Sequence, residues 1–269
     1  MSFIEVNNIK LYYELYGDSR KETIVLSNGI LMSTASWNFQ VAELSKHFQI
    51  LVYDCRGMWQ SDHPKEPYSM ELHAEDLSCL LSSLEIEKAH IAGISYGSEI
   101  SMMFALKYPH KTKSLLIFDG VSQVDPLLKA FGDTWVSAAK QKNPELLLKV
   151  TTPLNFSEEW IINNQKFLPI LEEKYSQLDF DAFIRLMDSF YNFNITTNLP
   201  EIHVPTLVVV GEKDILKTRS YSERIAELIP NSEFFVVPGS GHALSLEKPK
   251  EFNSLVMGFV NKHADYQGK

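Results

Sequence analysis

Two cysteines in 269 residues give this chain no disulfide framework, and Cys55 and Cys79 have neither metal-ligand nor redox spacing. Both read as small buried hydrophobes. Runs of lysine or arginine are missing, and 34 acidic side chains against 25 basic ones leave a net charge of −9. Nothing here would neutralise a nucleic-acid backbone or an anionic membrane, so neither is expected as a partner. No apolar stretch is long enough to span a bilayer. The opening MSFIEVNNIKLYYELYG has Glu5 and alternating polar residues where a targeting leader would have a basic segment and an apolar core. A cytoplasmic protein is the expectation. Clusters with metal-ligand spacing and phosphate-cradling glycine loops are lacking too, so the expectation is no metal and no cofactor.

What is present is 45% hydrophobic sequence, enough at this length for a sizeable core. FIEVNNIKLYYEL alternates apolar and polar residues around Asn7-Asn8, the pattern of a hairpin of half-exposed strands. Short apolar runs follow at 23–27, 49–54, 89–93, 114–120, 206–212 and 233–239, each of ordinary strand length. Between them, SWNFQVAELSKHF, SMELHAEDLSCLLSSLEI, SEISMMFALKYP and SYSERIAELIP space their apolar residues as helices do, and EFNSLVMGFVNKH makes a closing helix. Ser69 is placed to cap the second of these. Alternating strands and helices predict an α/β fold with a mostly parallel central sheet flanked by helices.

One interval departs from that rhythm. Residues 121–198 have no strand pattern; they read as helical segments broken at Pro126, Pro144, Pro153 and Pro169, rich in aromatics. The expectation is a sheet core of residues 1–120 and 199–269, with 121–198 inserted as a helical cap. Its aromatics, Phe131, Trp135 and Trp160 among them, are individually core formers and collectively favour an apolar pocket.

The stretch HIAGISYGSEISMMFALKYP sets Ser95 between Gly93 and Gly97, with a strand before and a helix after. Such a serine occupies a tight strand-to-helix turn, where a side chain at either glycine would strike a neighbouring element. The turn puts the hydroxyl at the carboxyl end of a central strand and at a helix N-terminus, whose amides favour developing negative charge. A serine hydroxyl still needs a base, and the base a carboxylate to orient it. Asp214 in VVVGEKDIL and His242 in FFVVPGSGHALSLEKP each follow a strand end, and Asp119 lies near the end of the run at 114–120.

On these motifs the chain resembles the α/β-hydrolase superfamily, in particular its small single-chain members with a helical cap: esterases, enol-lactone hydrolases, cofactor-free haloperoxidase-like enzymes and carbon–carbon bond hydrolases. The resemblance spans nearly the whole length and rests on SNGILMSTASW, YDCRGMWQSD, GISYG, and GEKD with GSGH. It implies Ser95 as nucleophile, Asp214 as acid and His242 as base, with the cap across the pocket. It also implies an oxyanion hole made by the Ile30 and Tyr96 amides. Asn28 stands where the family usually has histidine, and Trp59 where it often has glycine, so the indole is a further candidate for shaping the pocket. Arg56 and Asp54 read as a pair bracing that loop. The implied reaction is hydrolysis of a small apolar ester or lactone. Carbon–carbon hydrolysis, aminopeptidase action, perhydrolysis and a non-catalytic binding role are the alternatives on the same fold.

Overall fold

The computed structural model describes residues 2–264. Eight strands form one sheet: β1 (Ser2–Val6), β2 (Ile9–Tyr16), β3 (Thr23–Ser27), β4 (Gln49–Tyr53), β5 (Ala89–Ile94), β6 (Thr112–Phe118), β7 (Thr206–Gly211) and β8 (Ser232–Val237). Their order is β1-β2-β4-β3-β5-β6-β7-β8, parallel from β4 to β8, with β1 and β2 antiparallel at one edge. Asn7 and Asn8 turn the edge hairpin with φ of 46° and 61°, the left-handed pair that a two-residue hairpin turn demands.

The helices are α1 (Asn38–Leu44), α2 (Met70–Ser83), α3 (Tyr96–Lys107), α4 (Pro126–Lys140), α5 (Pro144–Asn155), α6 (Glu158–Asn163), α7 (Leu168–Tyr175), α8 (Phe180–Tyr191), α9 (Arg219–Leu228), α10 (Leu244–Glu247) and α11 (Pro249–Lys262). The two-residue period of the buried strands sorts them onto two faces. Val25, Ile91, Leu115 and Ile117 face the core shared with α2, α3 and α9, whereas Ile24, Leu26, Ala92, Leu116 and Phe118 face the one built on α1 and α11. A sheet covered on both sides explains why its strands are continuous apolar runs. Ser69 caps α2, its Oγ accepting from Leu72 N at 3.1 Å.

Between β6 and β7 the chain forms α4 to α8, with a single isolated bridge, Gln123–Asn194, at their base. Three of the four prolines stand at helix starts, where the sequence implies breaks, and Pro153 does not break its helix. Pro126 and Pro144 open α4 and α5, where no N–H is needed, and Asp125 and Asn143 cap the same turns. Pro169 sits in the first turn of α7, and Pro153 lies within α5, near its end. Cys79 is only partly buried, on α2, while Cys55 is buried as expected.

Candidate active site

Strand order reverses at β3: β4 lies on one side of it and β5 on the other, and the turn with Ser95 opens at this switch point. Ser95 has φ 54° and ψ −119°, a left-handed conformation that is strained for a serine, and its N–H is held by Phe118 O at 2.9 Å. Both flanking glycines are required. A Cβ on Gly93 would collide with the Gly97 carbonyl, and one on Gly97 with the Ser27 carbonyl.

Three loops at the carboxyl ends of β5, β7 and β8 bring Ser95, Asp214 and His242 together. His242 Nε2 lies 2.8 Å from Ser95 Oγ, and its Nδ1 lies 2.7 Å from Asp214 Oδ2. Asp214 Oδ1 accepts from Leu216 N and Lys217 N, both at 2.9 Å, which fixes the carboxylate. The His242 loop is tied to the β7 loop by Lys213 N to Ser240 O (2.7 Å) and to α5 by Ala243 N to Asn155 O (2.7 Å). Asp214 and His242 are each 5% exposed, so their interactions act in a poorly screened setting.

Asp119 directly follows β6, with φ 51°, and is fully buried. Its Oδ1 accepts from Gly211 N at 2.9 Å. Burial, with the Asp214 carboxylate beside it, pushes its pKa well above the usual carboxylate range. Asp119, Asp214 and His242 form a group whose potential metal-ligand atoms lie within 4.8 Å of one another. Both imidazole nitrogens are already engaged, to Asp214 and Ser95, so the ring aims no free lone pair at a cation.

The Ile30 amide belongs to a turn closed by Met32 N to Gly29 O at 2.9 Å. Tyr96 begins α3, so its amide has no intrahelical acceptor. Asn28, just before that turn, accepts from Trp37 Nε1 at 2.7 Å and donates to Asp54 Oδ1 at 3.3 Å. Asp54 also accepts from Thr34 N and Gln60 N, and burial raises its pKa to about 6. Arg56 does not pair with Asp54. Its guanidinium forks onto Asp76 of α2 at 2.7 and 2.8 Å, both side chains being buried. The two carboxylates divide the work, one bracing the loop from Asn28 to Thr34 and the other the arginine.

Ser95 and His242 open into a cavity of about 470 Å³ between the sheet edge and helices α5 and α7. Trp135 lines it, and also lines a smaller recess beside Ser95. Trp59 stands elsewhere, in a neighbouring pocket with His63 and Asp179, at φ 45°. Trp160 is stacked on Phe156 at 4.1 Å, and it is Phe156 that reaches the cavity wall; Phe131 packs against the main core. Phe156, Phe167, Tyr175 and Lys174, which line the cavity, had no sequence signal that separated them from other cap residues.

The comparisons with known proteins agree on the fold. A family model described as alpha/beta hydrolase fold matches residues 22–249. MGS-M2, an alpha/beta hydrolase enzyme from a Medee basin deep-sea metagenome library, is 33% identical and superposes with a TM-score of 0.90, covering 97% of each chain. The enol-lactonase from Burkholderia xenovorans LB400, 24% identical, has the same fold with a TM-score of 0.90 over 97% of this chain and 100% of its own. RutD of Caulobacter sp. (strain K31), provisionally named a carbamate hydrolase, is 27% identical over 260 residues, 94% of this chain and 97% of its own. The chain belongs to the alpha/beta-hydrolase family.

Proposed function

We propose that this protein is a serine hydrolase that cleaves a small, largely apolar carboxylic ester or lactone through an acyl-enzyme on Ser95. The observation that carries the reading is the unbroken hydrogen-bond chain from Ser95 Oγ through His242 to Asp214, at 2.8 and 2.7 Å, facing a mostly apolar cavity. His242 takes the Ser95 proton as Oγ attacks the carbonyl carbon. The oxyanion then rests on the Ile30 and Tyr96 amides, each such donor supplying about 3 kcal/mol of transition-state stabilisation. Collapse breaks the bond to the alcohol oxygen, which leaves with the proton from His242. Water, deprotonated by His242, attacks the acyl carbonyl, and its collapse returns the proton to Ser95 and frees the acid. All the groups used belong to the chain.

A carbamate carbonyl is open to the same attack, so the naming of the RutD relatives puts carbamates in the substrate panel beside short-chain p-nitrophenyl esters and lactones. The first experiment is peptide mass spectrometry after fluorophosphonate treatment, with His242→Ala as control. A single adduct on Ser95, lost in the control, is the expected outcome. An unmodified Ser95 in folded protein overturns the reading and favours a binding role for the fold.

A further inference from the structure

The wall of the large cavity is mainly apolar, built from side chains such as Leu31, Phe39, Phe167 and Leu171, but it contains one ammonium. Lys174 of α7 donates to Ser33 Oγ at 3.0 Å and to Ser36 Oγ at 3.3 Å, and its Nζ lies 4.6 Å from the centre of the Trp59 ring. Among the described residues it has no carboxylate at ion-pair distance. Asp54 attracts it only from further off, with oxygens already taken by Thr34 N, Gln60 N and Asn28 Nδ2. Burial lowers the lysine's pKa accordingly.

The fully buried lysine of this region shows what a structural ammonium does, whereas Lys174 is partly buried. Lys217 is neutralised by Glu99 at 2.8 Å. An ammonium drawn from water without a counter-ion is costly unless something supplies the missing charge. Its neighbours leave room for that partner. Ser36 Oγ accepts from both Lys174 and Ser33 N (3.1 Å), so its own proton remains to be donated, and Ser36 lines the same cavity as Ser95. Trp59 holds the cation against its indole face from a backbone conformation unfavourable to a bulky residue, which sets the ammonium's position.

We propose that Lys174 and Ser36 form a carboxylate subsite, so that the substrate is an ester or lactone with a carboxylate at the end remote from its scissile carbonyl. The apolar wall takes the carbon stem between the two. One ammonium and one hydroxyl proton match the two oxygens of a monoanionic carboxylate better than a phosphate dianion, which needs more donors. This substrate class rests on the serine-hydrolase reading of Ser95.

The test compares p-nitrophenyl half-esters of succinate, glutarate and adipate with neutral p-nitrophenyl esters of matched length, using the full chain. The wild type is expected to prefer at least one half-ester. In Lys174→Met the ratio of anionic to neutral kcat/KM falls about tenfold or more, chiefly through KM, and Lys174→Arg keeps most of the preference. A wild-type ratio at or below unity, or one that does not move in Lys174→Met, overturns the subsite. Calorimetric binding of monomethyl glutarate and methyl butyrate to Ser95→Ala separates the two readings. Selective binding of the anion, lost when Lys174→Met is added, upholds the subsite even if no ester is hydrolysed, and that combination would overturn the hydrolase reading alone. Absence of selective binding overturns the subsite even where neutral esters turn over.

Discussion

Asp119 and Asp214 lie side by side behind the His242 imidazole, with carboxylate oxygens of both within 4.8 Å of its ring nitrogen and of each other. Only Asp214 bonds to the ring, and only Asp214 has two loop amides on its other oxygen. Two carboxylates this close in a buried setting disfavour each other's ionisation, and burial with Asp214 beside it raises the pKa of Asp119. Asp214→Asn should therefore lower kcat by about three to four orders of magnitude, by presenting the wrong hydrogen-bonding group to the imidazole. Asp119→Asn, whose carboxamide resembles the protonated acid, should change kcat only a few-fold. Steady-state kinetics on one ester decides between them, and the reverse ranking would move the acid to Asp119.

Ser95→Ala and His242→Ala should each remove most of the turnover with the fold retained by circular dichroism. Because the two atoms share one proton across 2.8 Å, the double variant should be hardly slower than either single one. Multiplicative losses would mean that the two side chains act in separate steps.

Gly97 tests the turn at Ser95 rather than the chemistry. A methyl group there meets the Ser27 carbonyl, which is backbone in a central strand and cannot swing aside. Gly97→Ala should cost about 1–3 kcal/mol in denaturant unfolding, the usual penalty for overpacking. Wild-type stability would show that β3 yields at this point.

Much of this arrangement was legible in the chain because it is local. The strand–glycine–serine–glycine–helix pattern fixes Ser95, and Asp214 and His242 stand just beyond apolar runs that could only be strands. Boundaries moved by a residue or two, as at β6, which runs from Thr112 to Phe118 instead of from residue 114 to 120. Long-range pairing was not legible. Arg56 has Asp54 two residues away, yet the fold brings Asp76 to its guanidinium, since Asp54 is taken by Asn28 and Thr34 N. His90 sits inside β5, bonded to Ser114 Oγ on the adjacent strand at 2.7 Å, a partner 24 residues away in the chain. Lys174 lies in a charged run, EEKYS, that any solvated helix could show. Its partial burial depends on how α7 meets the Ser33–Ser36 turn, a tertiary fact.

His73 links stability to pH. It is buried in α2 with Nε2 2.9 Å from Tyr96 OH, and burial, aided by the Arg56 charge, pushes its pKa down to about 3 from 6.5. The unfolded chain takes up this proton first, so the neutral ring's contribution to stability is whole above about pH 6.5 and is lost as pH falls towards 3. Asp54, with its pKa raised to about 6, acts in the opposite sense, so the readout is the difference between two proteins. His73→Gln should flatten the acid-side fall in Tm relative to wild type. Parallel Tm curves would show that His73 takes up its proton equally in both states.

Lys217 and Glu99 form a buried ion pair at the edge of the Ser95 recess, with side chains 4% and 0% exposed. Glu99 also holds the chain leaving β6, its Oε1 accepting from Val121 N at 2.9 Å, and Lys217 Nζ lies 4.8 Å from the centre of the Phe190 ring. Lys217→Met alone strands the Glu99 carboxyl, whose pKa burial already raises, and should cost about 3–5 kcal/mol. Adding Glu99→Gln removes the stranded charge while keeping an acceptor for Val121 N, so the double variant should recover most of that loss. Denaturant unfolding of the wild type, both single variants and the double one closes the cycle. If the double variant is as unstable as Lys217→Met, the loss comes from the lysine's packing on Phe190, and the pair's charges contribute little to holding the wall of the recess.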